Sequence, residues 1–137
     1  KVPSSVNMIG TSAFVSCVTL VEATLPTTSI TMIPRGGFYW CRSLQTVTLP
    51  ETMKQICGYA FCGCCCLVTV IVALNSQPVE IGENSFHSCG VLANLALQQG
   101  SNAKSNTFVG CELLHKRFGE GADSIVVGLI GRFDNFP

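Results

Sequence analysis

Charge is what this chain has least of. Only 12% of its residues are Asp, Glu, Lys or Arg, about half the usual share. With 47% hydrophobic residues against that, the composition excludes a disordered chain, which needs the opposite balance. The formal net charge is zero, and the basic residues Lys1, Arg35, Arg42, Lys54, Lys104, Lys116, Arg117 and Arg132 are scattered. No phosphate-tracking stripe forms, so nucleic acid is not an expected partner. Long apolar runs are missing too. The longest, Cys64 to Leu74 with Thr69 inside it, is 11 residues, short of the roughly 18 that a membrane-spanning helix needs.

Catalytic equipment is equally sparse. There are two histidines: His87 follows a phenylalanine, and His115 sits beside Lys116 and Arg117. Neither has a Ser/Asp or Cys/Asp partner at a telling spacing, and both read as solvated corner residues. Glu22, Glu51, Glu80, Glu83, Glu112, Glu120, Asp123 and Asp134 are dispersed, with no pair set for acid–base work. No phosphate loop or dinucleotide fingerprint occurs; Arg117–Gly121, RFGEG, follows no strand and reads as a turn. No leader of the secretory kind opens the chain. Lys1 is not a start methionine and the chain stops at Pro137, which suits an excerpt of a longer repeat protein and leaves the compartment open.

What the chain does have is a beat. Phe14, Phe38, Phe61, Phe86 and Phe108 are spaced by 24, 23, 25 and 22 residues. Three residues after each stands a cysteine (Cys17, Cys41, Cys64, Cys89, Cys111), and three further a leucine (Leu20, Leu44, Leu67, Leu92, Leu114). The first four repeats continue with Ala23, Val47, Val70 or Leu95, then with Leu25, Leu49, Val72 or Leu97. Pro26 and Pro50 follow in the first two. Five residues before the phenylalanine stands Ile9, Ile33, Ile56 or Ile81, replaced by Ala103 in the fifth. The pattern is I-G-x-x-A-F-x-x-C-x-x-L-x-x-V-x-L-P. Its departures are Gly37 and Ser85 at the alanine, Ala73 at the proline, and Arg117 and Gly119 where the fifth repeat needs strand residues.

Such internal periods mark stacked-repeat architectures. L-x-x-V-x-L ends in period-2 alternation, which suits a short strand buried on one face; glycine and proline mark the corners. The isoleucine stretch is too short for a helix and predicts a single turn or short extended segment. A lone coil cannot bury its apolar side, but stacked coils bury it as continuous ladders of phenylalanine and leucine. The expected fold class is an α/β solenoid, a leucine-rich-repeat superhelix with one short parallel strand per 22–25-residue repeat.

The segments SSVNMIGTSAFVSCVTLVEATLP, GGFYWCRSLQTVTLP and ETMKQICGYAFCGCCCLVTVIV resemble the BspA-like leucine-rich repeats, the class also seen in treponemal surface proteins. The resemblance covers about residues 2–114. It implies a curved solenoid used for adhesion or protein binding, with no catalytic residues and no cofactor. The closing segment, ADSIVVGLIGRFDNFP, is similar to tails that follow such repeats in diatom and other microbial-eukaryote members. Residues 1–114 are thus expected to be the repeats, the last degenerate, and 115–137 a C-terminal cap. Asp123-Ser124 reads as an N-cap before a helix over about 124–133, despite Gly128 and Gly131; a strand hydrogen-bonded to the end of the sheet is the competing reading. The polar stretch 98–107, QQGSNAKSNT, predicts a mobile surface loop in place of the fifth coil's opening.

Five of nine cysteines belong to the repeat, where a small thiol fills the coil and offers its proton to nearby carbonyls. Their parallel Cβ vectors disfavour disulfides between neighbours, and free thiols favour an intracellular setting, although the family also includes cell-surface proteins. Cys57, Cys62, Cys65 and Cys66 are left over. They lack the paired knuckles of a structural zinc site, so no metal is expected. Variable strand positions define the candidate binding face: Glu22 and Thr24; Gln45, Thr46 and Thr48; Val68, Thr69 and Ile71; and Asn94, with Val21, Ala93 and Ala96 alongside. Val68 and Ile71 would be its apolar centre. Tyr39, Trp40 and Arg42, the residue types typical of binding hot spots, fall instead at the second repeat's corner. A protein partner is the expected one.

Overall fold

The computed structural model describes residues 1–26, 29–72, 77–97 and 100–119. In chain order they form β1 (Glu22–Thr24), β2 (Met32–Ile33), β3 (Thr46–Leu49), β4 (Gln55–Ile56), β5 (Thr69–Val72), β6 (Glu80–Ile81), β7 (Asn94–Leu95), β8 (Asn102–Ala103) and a short helix, α1 (Glu112–Phe118). The odd strands make one parallel sheet in the order β1-β3-β5-β7, and the even strands a second in the order β2-β4-β6-β8. This is the parallel-strand solenoid of the expected class. The repeat pattern predicts one strand per coil, however, and the structure holds two. The isoleucine stretch is extended because Ile33, Ile56 and Ile81 pair in register along the second sheet and bury completely. Cross-coil hydrogen bonds hold straight a two-residue segment that has too little propensity of its own.

Each recurring residue type becomes a column down the solenoid. Ala23, Val47, Val70 and Leu95 are register partners on the first sheet, all turned inward and buried. The five phenylalanine rings stack between coils with centroids 5.0, 5.3, 5.3 and 5.8 Å apart and planes within 12° of parallel. Phe38, Phe61, Phe86 and Phe108 are fully buried, whereas Phe14, in the first coil, is only half-buried.

Beside the ring stack the corner backbone forms a third ladder. The N–H groups of Ser12, Phe14 and Ser16 donate to the carbonyls of Arg35, Gly37 and Tyr39, and the same step recurs at Gly36, Phe38 and Trp40. Two residues in every corner are left-handed, one two places before the phenylalanine and one two places after it. They are Ser12 and Ser16, Gly36 and Trp40, Tyr59 and Gly63, Asn84 and Ser88, and Asn106 and Gly110. Alternating hand turns every second N–H toward the next coil. Gly, Asn and Ser suit that conformation; Trp40 and Tyr59, both at φ 59°, carry the steric cost of a left-handed bulky residue, about 1–2 kcal/mol each.

The fifth coil departs from expectation at its start. Residues 98–107 were expected as a mobile loop; 98–99 lie outside the described residues, but Asn102–Ala103 is a paired strand and Ser101 and Thr107 are buried. Short hydroxyls do there what apolar residues do elsewhere. Ser101 Oγ accepts from the Val79 N–H at 2.9 Å, and Thr107 Oγ1 donates to the Lys104 and Gly82 carbonyls at 2.6 and 3.1 Å. Where Arg117 and Gly119 break the strand pattern the chain becomes α1, whose buried residue is Leu114. The helix expected over 124–133 lies outside the described residues.

Candidate functional site

The candidate face is built by strand alternation. With Ala23, Val47, Val70 and Leu95 pointing inward, their neighbours must point out. The register sets Glu22, Thr46, Thr69 and Asn94 in one row and Thr24, Thr48 and Ile71 in the next. Val21, Gln45, Val68 and Ala93 form a third row, tied by the Gln45, Val68 and Ala93 N–H groups donating to the carbonyl of the preceding coil's member. Seven of the nine residues singled out from the sequence thus share the outer face of the sheet, and Gln45 and Val68, both exposed, directly precede β3 and β5. Glu22 is the one charged residue of the nine, and Arg117 Nη1 donates to the Ala93 carbonyl at 2.9 Å at the far end of the third row. Val68 and Ile71, 40% and 46% exposed, lie in one coil with Thr69 between them. Asn94 Nδ2 donates to Thr69 Oγ1 at 3.2 Å, which fixes the polar edge of that apolar centre.

The cysteines resolve into two populations. In the repeat column every thiol after Cys17 donates backward by one coil: Cys41 Sγ to the Phe14 carbonyl at 2.9 Å, Cys64 to Phe38 at 3.1 Å, Cys89 to Phe61 at 3.1 Å and Cys111 to Phe86 at 3.0 Å. Burial pushes the Cys64 and Cys89 thiols far above the usual range and Cys111 up to about 12, so they remain neutral donors. All nine cysteines are free. The remaining four diverge. Cys57 is half-buried with its Sγ 3.6 Å from Met32 Sδ, Cys62 is buried, and Cys65 and Cys66 are exposed. Among the described residues no three or more His, Cys, Asp or Glu side chains are placed to hold a metal ion.

Neither histidine has a carboxylate partner among the described residues. His87 Nδ1 lies 2.9 Å from the hydroxyl of its neighbour Ser88, at the corner. That corner holds more than the sequence pattern revealed. The Arg42 guanidinium lies 4.2 Å from the Trp40 ring centre and Arg35 4.7 Å from that of Tyr59. A depression of about 380 Å³ opens between Tyr39, Trp40, Arg42, Cys62, Gly63 and His87. Only Tyr39, Trp40 and Arg42 stand out in the sequence; Arg35 and Tyr59 do not, because they come from different coils. No helix among the described residues is long and apolar enough to cross a membrane.

Residues 7–126 match the family model of the BspA type leucine rich repeat region, in six copies. Among solved structures the chain is similar to a leucine-rich repeat protein of T. pallidum, at 33% identity and a TM-score of 0.67. The alignment covers 75% of this chain and 48% of that one, so the chain spans about half the length of the solved protein. No curated protein matches.

Proposed function

Because the chain belongs to the BspA-type leucine-rich repeat family, we propose that it is a non-enzymatic protein-interaction or adhesion module that binds a protein partner through the outer face of its first sheet. Members of this repeat class are typically interaction modules without catalysis. The observation that supports the reading is that Glu22, Thr24, Gln45, Thr46, Thr48, Val68, Thr69, Ile71 and Asn94 all keep solvent exposure along the first sheet, with Glu22 the one charged residue among them. Such a surface excludes little and discriminates by shape. The exposed pair Val68 and Ile71 supplies the apolar centre that interface cores favour. Residues 1–114 then act as the binding solenoid, and the expected cap over 115–137 lies outside the described residues from 120 onward.

Val68→Glu and Ile71→Glu test it. Both side chains are solvent-facing, so the variants are expected to keep the parent's denaturation midpoint. Proteins retained by the immobilised chain are expected to be lost from both. Equal retention by parent and variants would remove the face from the function; unfolding of either variant would show that the face is structural. The second reading is a structural segment of a longer repeat scaffold. It draws on the first coil, where Phe14, Cys17 and Leu20 are half-buried although their equivalents deeper in the stack are fully buried. A further coil would cover them.

A further inference from the structure

The corner over Phe38 and Phe61 departs from the rule that the rest of the ladder follows. Ten corner positions are left-handed, and eight hold a small residue, Ser, Gly or Asn, of which Gly and Asn tolerate that backbone best. The two exceptions, Trp40 and Tyr59, each lie under an exposed arginine, Arg42 and Arg35; the third such pair, Arg117 over Phe118, belongs to α1 and not to a corner. The core does not require the two corner rings. Trp40 is 41% exposed, and the equivalent site in the next coil is Gly63, where even a Cβ would stand 2.5 Å from Trp40 Cδ1. The missing side chain at Gly63 is what lets the indole lie across the following coil. Strained conformations of this kind persist where surroundings hold them for a purpose other than stability.

What the corner offers is a pair of oriented cations. Tyr39 separates two shallow depressions, of about 380 Å³ on the Arg42 side and about 270 Å³ on the Arg35 side. A guanidinium held over an aromatic ring retains N–H groups for a carboxylate, and the contact restricts its rotamers in advance of binding. Arg35 already meets Glu83 at 3.4 Å; Arg42 has no carboxylate partner among the described residues. In a chain so poor in charge, an arginine without a carboxylate partner among the described residues stands beside Trp40, Tyr39 and His87.

We propose that this corner is a second binding site, which takes an acidic peptide segment of a protein partner: a carboxylate on Arg42, with an adjacent apolar side chain against Trp40 and Tyr39. The depressions are mostly apolar beyond their arginines, which suits alternating acidic and apolar residues better than a uniformly charged polymer. The site is separate from the sheet face, so either stands if the other fails.

Trp40 is the single tryptophan in the chain, so its emission reports on the site alone. The probe is a short capped peptide of alternating glutamate and leucine, labelled for anisotropy, beside its glutamine counterpart and a polyglucuronate of similar length. The glutamate peptide is expected to bind saturably and shift Trp40 emission, while the glutamine peptide does neither. Arg42→Gln should weaken binding about tenfold or more, since a charge-assisted hydrogen bond is lost. Arg42→Lys, which keeps the charge but not the bidentate fork, should fall between. Lys54→Gln, which removes an exposed cation that lines neither depression, should leave affinity unchanged. Three results would each overturn the proposal: equal binding of the glutamine peptide, no effect of Arg42→Gln in a variant with the parent's denaturation curve, or no saturation at millimolar peptide. Polyglucuronate binding as tightly as the peptide would replace a peptide ligand by an anionic polysaccharide.

Discussion

Replacing Phe61 by leucine removes the middle ring of the stack. Phe61 is fully buried and has parallel partners on both faces, Phe38 and Phe86, each 5.3 Å away. An aromatic pair adds about 0.5–1.5 kcal/mol beyond its buried area, so two lost pairs cost about 1–3 kcal/mol. The smaller side chain in a packed core adds roughly 1 kcal/mol, which puts Phe61→Leu at about 2–4 kcal/mol. Phe14 has one partner, at 5.0 Å, and is half-exposed; Phe14→Leu should cost only about 0.5–1.5 kcal/mol. Against a typical total of about 5–15 kcal/mol, both variants remain foldable, while Phe61→Ala risks unfolding. Urea denaturation followed by circular dichroism measures the difference, with linear extrapolation at constant slope. In a stack whose coils touch only their neighbours, a central loss can also split the cooperative unit, and the slope would then fall for Phe61→Leu alone. Equal costs for Phe14→Leu and Phe61→Leu would refute the ladder as a source of stability.

Two more expectations concern the same corner and column. Burial holds the Cys64, Cys89 and Cys111 thiols above their ordinary range, so they stay protonated in the fold at pH values where the unfolded chain ionises, near 8.5. Their contribution is complete below that pH and is lost as pH rises toward the folded-state values, by up to ~1.4 kcal/mol per pH unit for each thiol. The urea midpoint should therefore be flat from pH 7 to 8 and fall steeply above 8.5; a flat profile to pH 10 would show that these thiols ionise as easily in the fold. Gly63→Ala places a Cβ against the Trp40 ring at a φ of +76°. It should destabilise by about 1–3 kcal/mol and red-shift Trp40 emission, whereas unchanged emission would mean that the indole does not rest on Gly63.

Much of this molecule is written in side-chain volume, and that part is legible in the sequence. Phenylalanine, cysteine, leucine and valine recur because the interior of every coil presents the same cavity to be filled. The two-sided alternation around Val47 and Val70 likewise places Thr46, Thr48, Thr69 and Ile71 outside. The left-handed corner positions are a different matter. They are imposed by N–H groups reaching for the next coil's carbonyls, and residues as unlike as Gly36, Tyr59 and Asn106 occupy the same place. Only the frequency of Gly, Asn and Ser two residues from each phenylalanine hints at them. The fifth coil misleads for a related reason. Asn102 and Ala103 have little strand propensity, but Glu80 and Ile81 offer them a ready edge, and pairing overrides composition. The stacked pair of Arg35 and Tyr59 is invisible because it joins positions that only the coil spacing brings together.

The cysteine column shows why a residue type that suggests chemistry can be structural. Each phenylalanine carbonyl at the corner accepts the N–H of the cysteine three residues on, at 3.0–3.3 Å, which leaves one lone pair facing the core. Alanine would leave that lone pair unmet in an apolar interior, a cost of about 1–3 kcal/mol. Serine would meet it, but with a more polar group whose burial is costlier when its geometry is imperfect. A thiol donates weakly, is hydrated weakly and fills the space, so it suits a place that is both apolar and one proton short. That explanation covers Cys41, Cys64, Cys89 and Cys111, whose thiols reach back to the coil before them. Cys17 has the same position in the first coil but no described coil behind it, and it is correspondingly half-buried. Reactivity in this chain should therefore be sought at Cys65 and Cys66, which the column does not claim.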